Sequence, residues 1–312
     1  MSLLVTGSIG IDTVESPHGK AVDALGGSSV YFAYAASFFA PVRFVGVVGE
    51  DCPSDFLKPL HDNPRIDMSG LEVRRGAKTF RWHGRYHQDV NLRDTLAVEL
   101  NVLGEAGPTI PPNFRDSRYA FLANTHPALQ VQLLQQMAGP HLVLADTMDL
   151  WIAGQPEALE QMLAMVDGIV LNDSEARLMT GSHNVIAAGL EILPRLQRQC
   201  GSREPMRGPV VVIKKGEHGS LLFADERIIS LPGYPARKII DPTGAGDSFA
   251  GAIMGCLAAS GDVSPDGLRR AVAYGTVTAS FTLEDFSLNR LTQIDRGQID
   301  RRLAEYQEML RV

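Results

Sequence analysis

Short apolar runs alternate along most of the chain with longer segments whose apolar residues recur at helical spacing. Runs that are apolar on both faces are typical of parallel strands covered on both sides. The alternation of such runs with helical segments predicts an α/β fold: a mostly parallel sheet between two helical layers. The strand-like runs are residues 3–9, 42–51, 119–124, 142–147, 168–172 and 209–223, the last one read as two strands joined by a turn.

Residues 70–101 do not follow this alternation of apolar strand-like runs with helical segments. Apolar and polar residues alternate there with a period of two, both faces stay polar, and the segment is rich in arginine. Such a pattern indicates strands that project from the core. His83 and His87 have the spacing of metal ligands on a helix, but the neighbouring Trp82 and Tyr86 favour a strand. The arginines are interpreted either as a solvated surface or as groups that bind a substrate phosphate or, beside Trp82, stack on a base.

The composition is that of a globular protein. The 312 residues are 45% hydrophobic and 21% charged, which fits one large domain over residues 1–312. The net charge of −7 disfavours non-specific binding to nucleic acid, and no apolar run reaches the length of a membrane span. Cys52, Cys200 and Cys256 lack metal-ligand spacing, and no signal peptide is visible, so we expect reduced thiols and a cytoplasmic location.

The strongest chemical signal is residues 241–255, DPTGAGDSFAGAIMG. Small residues at 244–246 precede Asp247, and an apolar helical pattern follows. Amides at a helix start lack intrahelical partners and carry part of the helix dipole, so they favour an anion, above all a phosphate. A carboxylate beside such a site suits phosphoryl transfer, in which one base accepts the proton of the acceptor hydroxyl.

Other interpretations of this segment remain open. Asp247 also fits the N-cap of a helix that follows a glycine turn. The run 246–250, G-D-S-F-A, resembles a serine-hydrolase elbow, although Ala250 stands where a glycine is usual. Gly7 and Gly10 do not supply the G-x-G-x-x-G of a dinucleotide-binding oxidoreductase, and a Walker phosphate loop is absent from the sequence.

The segment D-P-T-G-A-G-D at 241–247 resembles the D-T-x-G-A-G-D signature of the ribokinase-like (PfkB) family of carbohydrate and nucleoside kinases. The resemblance implies a three-layer α/β/α sandwich with a small β-sheet lid, formed here by about residues 11–25 and 70–101. It also implies ATP as phosphoryl donor, Mg²⁺ as cofactor and Asp247 as catalytic base. The amides of Gly244, Ala245 and Gly246 are then the anion hole for the transferred group.

Further motifs follow in the family's order. Gly26-Gly27 resembles its substrate-side G-G-x-x-x-N motif, but Tyr31 stands at the position of the Asn, so an amide that relatives use to hold substrate hydroxyls is missing. Asp12, just past the first strand, is the implied acceptor of a substrate hydroxyl, although a plain turn residue fits it too. The expected substrate-binding residues are Asp12, Gly26, Gly27, Asn124 and Arg81.

On the nucleotide side, residues 172–175 match the family's N-x-x-E motif, and residues 214–219 resemble its T-x-G-x-x-G loop with Lys214 in place of Thr. Glu175 is the expected Mg²⁺ ligand, directly or through water. A favourable helix-start acid and a plain hairpin are the structural alternatives. The expected nucleotide-binding residues are Asn172, Glu175, Lys214, Gly216, Gly219 and Thr243.

The sequence therefore predicts an ATP-dependent kinase that phosphorylates a hydroxyl of a sugar or nucleoside. The alternatives are a non-catalytic sugar- or nucleotide-binding or regulatory member of the fold, and a kinase that acts on a sugar phosphate. A small molecule is the expected partner, with neither nucleic acid nor membrane. Relatives often pair through their lids, which is the expected mode for a homodimer.

Overall fold

A computed structural model describes residues 1–197 and 208–311. The strands are β1 (Leu3–Thr6), β2 (Gly10–Ser16), β3 (Gly19–Gly26), β4 (Val42–Gly49), β5 (Ile66–Arg74), β6 (Phe80–Tyr86), β7 (Arg93–Glu99), β8 (Tyr119–Leu122), β9 (Leu142–Ala145), β10 (Gly168–Asn172), β11 (Val210–Lys214), β12 (Ser220–Ala224) and β13 (Arg227–Leu231). The α-helices are α1 (Ser28–Ser37), α2 (Lys58–His61), α3 (Pro127–Gln135), α4 (Asp149–Gly154), α5 (Pro156–Leu163), α6 (Asp173–Thr180), α7 (Val185–Ile192), α8 (Ala245–Ser260), α9 (Pro265–Thr282) and α10 (Arg296–Met309).

Within these described residues, nine strands form one large sheet in the order β13-β12-β11-β10-β9-β8-β1-β4-β5. Neighbours from β11 to β5 are parallel, and β12 pairs antiparallel with both β11 and β13. The hairpin of β11 and β12 is the strand-turn-strand unit that the sequence predicts over 209–223.

Successive residues of the central strands point into two different cores. Phe121 and Leu144 belong to the core under α1, α8, α9 and α10, whereas Leu122 and Ala145 belong to the core under α3 to α7. This alternation is the geometry of a strand that is buried on both faces. The mostly parallel three-layer α/β/α sandwich expected from the sequence is therefore confirmed.

The lid is a separate small sheet. In the part of the chain that the structure describes, β3, β2, β6 and β7 form it in that order, with β2 and β6 parallel and the other pairs antiparallel. Its second segment begins at Phe80 rather than near residue 70, because residues 70–74 close β5 at the edge of the large sheet. The sequence misplaces this boundary since an edge strand with an exposed face shows the same alternation as a lid strand.

No helix in the described ranges is both long and apolar enough to cross a lipid bilayer. Cys52 and Cys256 are free thiols, and Cys200 lies outside the described residues.

Helices α1 and α8 lie against each other along glycines. A Cβ atom added to Gly251 would lie 2.3 Å from the carbonyl oxygen of Phe32, and one added to Gly255 would lie 2.7 Å from that of Ala36. Only glycine permits this approach, in which backbone meets backbone. The contact brings the amino-terminal ends of both helices to the same edge of the large sheet.

We predict that Gly251→Ala destabilises the fold by about 1–3 kcal/mol, because the added methyl group forces the two backbones apart. Urea unfolding measures the change. Gly154→Ala is the matched control, since a Cβ there meets nothing within 4 Å and the substitution leaves stability unchanged or slightly raised. Equal stability of wild type and Gly251→Ala would show that the helix contact is looser than described.

Candidate active site

The candidate residues meet at the carboxyl edge of the large sheet. The neighbouring parallel strands β11, β10, β9, β8 and β1 end there, which is where open α/β sheets bind ligands. Lys214 ends β11, Asn172 ends β10, Asp146 follows β9 and Asn124 lies just beyond β8. Asp12 follows β1 and lies in the first lid strand, β2, so the lid connects to the large sheet at the same edge.

The glycine motif forms the start of α8. Gly244 is the N-cap residue at φ 77°, a conformation that glycine adopts without strain, and Asp247 lies in the first helical turn. Asp247 is therefore not the N-cap, and no side chain caps this helix start. The amide of Ala245 donates to the carbonyl of Pro242 at 3.2 Å, while the amides of Gly244 and Gly246 donate to no backbone carbonyl within residues 1–197 and 208–311. In this structure the predicted anion hole thus offers two amides rather than three.

Tyr31 packs against this turn. A Cβ on Gly244 would lie 2.3 Å from the tyrosine ring, which is 2% exposed. Burial, reinforced by the charges of Asp241, Asp12 and Asp247, raises the pKa of Tyr31 well above its ordinary value, so its hydroxyl stays protonated. The residue that replaces the expected asparagine therefore supports the glycine turn from α1.

Ser248 does not resemble a hydrolytic nucleophile. Its side chain is fully buried, and its hydroxyl has no hydrogen-bond partner among the described residues. A serine nucleophile requires an adjacent base that accepts its proton. The hydrolase interpretation is therefore not supported.

Lys214 places a cation beside the same helix start. Its Nζ atom lies 2.8 Å from the position that a Cβ of Gly246 would occupy. An ammonium group and the positive end of a helix dipole repel each other unless an anion lies between them. Their proximity makes this point electrostatically favourable for an anion.

Two carboxylates share this region. Burial raises the pKa of Asp247 to about 6, against the opposing effects of the Lys214 and Arg93 charges. Burial and the charge of Asp247 raise the pKa of Asp146 well above its ordinary value, with Glu175 adding to the repulsion. A carboxyl group whose pKa lies near neutrality is well matched to accepting a proton at physiological pH.

Asp12 contributes a further buried carboxyl group to the site. Its carboxyl group is 5% exposed and packs against Gly26, where a Cβ would lie 1.8 Å from Oδ2. Burial raises the pKa of Asp12 to about 8, with further contributions from the charges of Asp241 and Asp247, while a hydrogen bond from the Gly27 amide lowers it. Its Oδ1 atom is buried without a partner among the described residues, so it can accept a hydrogen bond from a ligand hydroxyl.

Asn172 and Glu175 form a capping box at the start of α6. The Asn172 side chain accepts from the Glu175 amide at 2.8 Å, and Glu175 Oε2 accepts from the Asn172 amide at 2.7 Å. The motif that the sequence assigned to the nucleotide thus has a structural role of its own. Burial raises the pKa of Glu175, and the charge of Lys214 opposes this shift.

The residues present fit a magnesium ion in its usual protein setting. Asp146 Oδ1 is buried without a partner in the described part of the chain, and it belongs to the same group of crowded carboxylates as Glu175. No group of three or more potential ligands is found there. Mg²⁺ is commonly held by one or two carboxylates together with waters and substrate phosphates, so such a cage is not required.

The predicted substrate residues Asn124 and Arg81 are differently placed. Asn124 lies at the sheet edge, but its amide oxygen accepts from the Trp151 indole at 2.9 Å and its nitrogen contacts the sulfur of Met148. Arg81 lies on the opposite face of β6 from Trp82, where it pairs with Asp23 at 3.2 Å and Asp51 at 3.6 Å. The structure therefore does not bring Arg81 together with the other candidates.

The lid reaches the glycine motif. Thr243 Oγ1 and the Tyr86 hydroxyl are 3.3 Å apart, and a Cβ on Gly216 would lie 2.4 Å from Oδ1 of Asn91 in the β6–β7 loop.

Gly219 has φ 82° and lies against the backbone of Leu231, so its conformation has a structural reason.

The sequence assigns no chemical role to Asp146 or Tyr86, which the structure places at the site. Arg93 is one of the lid arginines interpreted from the sequence as a solvated surface or as groups that bind a substrate phosphate or stack on a base, and its charge lowers the pKa of Asp247. The position of Asp146 at a strand end, and the alternation that puts Tyr86 on the face of Trp82, are the signals that point to them.

This fold and this site define a phosphotransferase of the α/β kinase class. A model of the pfkB family of carbohydrate kinases matches residues 122–293, and the chain belongs to that family, whose members are carbohydrate and nucleoside kinases.

Two kinases from other organisms are similar to this chain in sequence. A cytidine kinase from Thermococcus kodakarensis is 28% identical over 260 residues, which cover 81% of this chain and 87% of that protein. A nucleoside kinase from Methanocaldococcus jannaschii is 26% identical over 174 residues, or 56% of this chain and 51% of that protein.

A solved structure shares the whole fold. The nucleoside kinase of Burkholderia thailandensis in complex with inosine superposes with a TM-score of 0.74 at 20% identity, covering 97% of this chain and 98% of that one. At this identity the likeness establishes the fold alone.

The raised pKa of Asp12 predicts how stability depends on pH. The folded state holds a proton on Asp12 up to about pH 8, whereas an unfolded aspartate loses its proton near pH 3.8. This group therefore makes the free energy of unfolding fall as pH rises between those two values, by up to about 1.4 kcal/mol per pH unit. Asp12→Asn is therefore expected to reduce the decrease of the free energy of unfolding with rising pH. Urea unfolding across this pH range measures it.

Asp23→Asn is the matched control, because that carboxylate is 67% exposed. Identical pH slopes for wild type and Asp12→Asn would contradict the raised pKa of this buried carboxyl group.

Proposed function

We propose that the chain is an ATP-dependent kinase that phosphorylates a primary hydroxyl of a nucleoside, and that residues 1–312 act as one domain whose lid closes the cleft. The proposal rests on one observation above all. A half-buried carboxyl group, Asp247, lies in the first turn of a helix whose unpaired amides and neighbouring Lys214 favour an anion.

Each of these site residues has its own role in the proposed phosphoryl transfer. Asp247 accepts the proton of the acceptor hydroxyl, whose oxygen forms a bond to the γ-phosphorus of ATP. The bond from that phosphorus to the β–γ bridging oxygen breaks, and ADP leaves with the electron pair. The amides at 244 and 246, with Lys214, stabilise the negative charge that redistributes over the transferred group. Mg²⁺, held through Asp146 and Glu175, neutralises phosphate charge when bound.

Asp12 positions the acceptor. Its buried, partnerless Oδ1 offers a hydrogen-bond acceptor to a second hydroxyl of the sugar ring, and the Gly27 amide fixes the orientation of the carboxyl group. A sugar held at two hydroxyls presents the reacting oxygen to Asp247 in a defined geometry, which lowers the entropic part of the barrier.

The lid favours a nucleoside over a sugar phosphate. Asp12, Trp82 and Val98 are neighbours in the lid sheet on the face that turns to the cleft, and Val98 is 45% exposed, so an apolar surface is available to a base. Arg81 and Arg85 are paired with carboxylates on the other face, which leaves them unsuited to a substrate phosphate. The similarity to a cytidine kinase and to nucleoside kinases supports the same choice.

Replacing Asp247, the proposed catalytic base, tests the proposal. ADP release is measured with ATP and a panel of nucleosides, free sugars and sugar phosphates. We expect a nucleoside to be the best acceptor and Asp247→Asn to lower kcat by about 10²–10⁴ while ATP still binds. Asp266→Asn is the control, because Asp266 also lies in the first turn of a helix, α9, but is exposed and pairs with Arg269 of the same helix.

Failure of every acceptor to raise ADP release above background, with nucleosides still bound, would identify a non-catalytic binding protein instead. A sugar phosphate as the best acceptor would contradict the nucleoside assignment alone.

The raised pKa of Asp247 also predicts the pH profile. The base works only when deprotonated, so kcat/KM is expected to fall about tenfold per unit below a pH of about 6 and to level above it. Initial rates at saturating ATP between pH 4.5 and 8 measure this decrease of kcat/KM at acidic pH. A rate that stays constant down to pH 4.5 would exclude Asp247 as the proton acceptor.

A further inference from the structure

Gln130 is a polar residue on the buried side of α3. Its side chain is fully buried, and Leu133 and Leu134, which follow it in the helix, belong to apolar cores. An amide in apolar surroundings costs free energy unless hydrogen bonds replace those that it makes to water. An apolar residue in this place would avoid that cost, so we expect the amide to have a specific role.

The amide nitrogen of Gln130 joins the ends of two neighbouring strands. Its Nε2 atom donates to the carbonyl oxygen of Leu122, the last residue of β8, at 2.8 Å, and to that of Asp146, just after β9, at 3.1 Å. A longer contact of 3.4 Å reaches the carbonyl oxygen of Ala123. The residue pairing of β8 with β9 stops at Leu122 and Ala145. Gln130 therefore holds a carbonyl group that lies beyond the paired part of the strands.

The carboxyl group of Asp146 depends on this main chain for its direction. Its Oδ1 atom is buried and has no hydrogen-bond partner within residues 1–197 and 208–311, and the carboxyl group accepts a hydrogen bond from its own backbone amide. That amide also donates to the Leu122 carbonyl at 3.2 Å, and the Asp146 carbonyl accepts from Gln130. The peptide groups on both sides of the Asp146 Cα atom are thus fixed, and the carboxyl group with them.

The amide oxygen of Gln130 does not contribute to this arrangement. Its Oε1 atom is buried and has no hydrogen-bond partner in the described part of the chain. A buried acceptor without a partner lowers stability, whereas an apolar side chain of the same shape can be neutral or stabilising. Stability alone is therefore a poor reason for an amide at this position, and its contacts point to the strand end that carries Asp146.

We propose that Gln130 is a positioning residue for the divalent metal ion, because it holds the main chain of Asp146 so that the free carboxylate oxygen stays available as a ligand. This inference rests on the proposed function, in which Asp146 holds Mg²⁺. Partners that orient a metal ligand commonly contribute a factor of about 10–100 to metal affinity. Mg²⁺ binds through only one or two carboxylates, so the orientation of a single carboxylate affects its affinity strongly.

Gln130→Met tests this role in the full-length protein, since methionine keeps the length of the side chain and removes the amide. Mn²⁺, which accepts the same oxygen ligands as Mg²⁺, is titrated in the presence of ADP and followed by electron paramagnetic resonance. We expect the dissociation constant for Mn²⁺ to rise about tenfold. In rate assays we expect the Mg²⁺ concentration at half-maximal rate to rise by the same factor. KM for the nucleoside is expected to change less than about twofold, because acceptor binding is not affected.

Gln132→Met is the matched control. Gln132 lies on the same helix but is exposed, so its replacement is expected to keep the wild-type affinity for Mn²⁺. A double-mutant cycle with Asp146→Asn measures whether Gln130 acts through Asp146. We expect Gln130→Met to change the Mn²⁺ affinity no further once Asp146 is replaced. Thermal unfolding checks that each variant is folded, and Gln130→Leu repeats the titration if Gln130→Met unfolds below the assay temperature.

Three results would overturn the inference. The first is a wild-type Mn²⁺ affinity in Gln130→Met. The second is an equal loss of affinity with and without the Asp146 carboxylate, which would show that Gln130 acts elsewhere. The third is unfolding of both apolar variants, which would show that the amide is needed for the fold itself.

This inference and the proposed function fail in different ways. A wild type that phosphorylates a nucleoside, and whose Mn²⁺ affinity survives in Gln130→Met, refutes only the role of Gln130. A wild type that phosphorylates no acceptor, but binds Mn²⁺ with ADP and loses that affinity in Gln130→Met, refutes the kinase assignment and leaves the role of Gln130 in place.

Discussion

The close contact of α1 with α8 is the constraint on which the site depends. The backbones approach at Gly251 and Gly255, and the two helices run in the same direction from glycine starts at Gly27 and Gly244. Two helix starts therefore lie side by side at the carboxyl edge of the sheet. The amide of Gly27 donates to Asp12, and the other helix start carries Asp247, so the two carboxyl groups that we propose handle the acceptor are positioned by one packing interface.

The electrostatics of the cleft follow from that arrangement. The carboxyl groups of Asp12, Asp146 and Asp247 are buried, and desolvation, joined by charge repulsion at Asp12 and Asp146, keeps their pKa values above the ordinary range. The positive charges of Lys214, in the large sheet, and Arg93, in the lid, lower the pKa of Asp247. Under the proposed function, a phosphate group and Mg²⁺ bind here and offset this imbalance of charge.

Much of this was accessible from the sequence. Apolar runs identified the parallel strands, and the segment at 241–247 indicated a glycine-started helix with an acid in its first turn. The strand-like run at 168–172 is observed as the strand Gly168–Asn172. Local patterns of this kind reflect backbone geometry and burial, which act over a few residues.

Other features depend on contacts between distant segments and were not predictable. Arg81 was expected at the substrate and lies on the outer face of the lid, because the strand register decides which face an alternating residue occupies. The packing of Tyr31 under Gly244, and the bond between Asn91 and Glu217, join segments more than a hundred residues apart in sequence. The motif at 172–175 predicted proximity to phosphate but not its capping box.

The most direct test of the account is a crystal structure with the preferred nucleoside and a non-hydrolysable ATP analogue bound together. The account predicts the acceptor hydroxyl within hydrogen-bond distance of Asp247, a second sugar hydroxyl on Asp12, and the terminal phosphate of the analogue on the amides of Gly244 and Gly246. A structure in which the glycine turn contacts no phosphate, and Asp247 no acceptor hydroxyl, would contradict it.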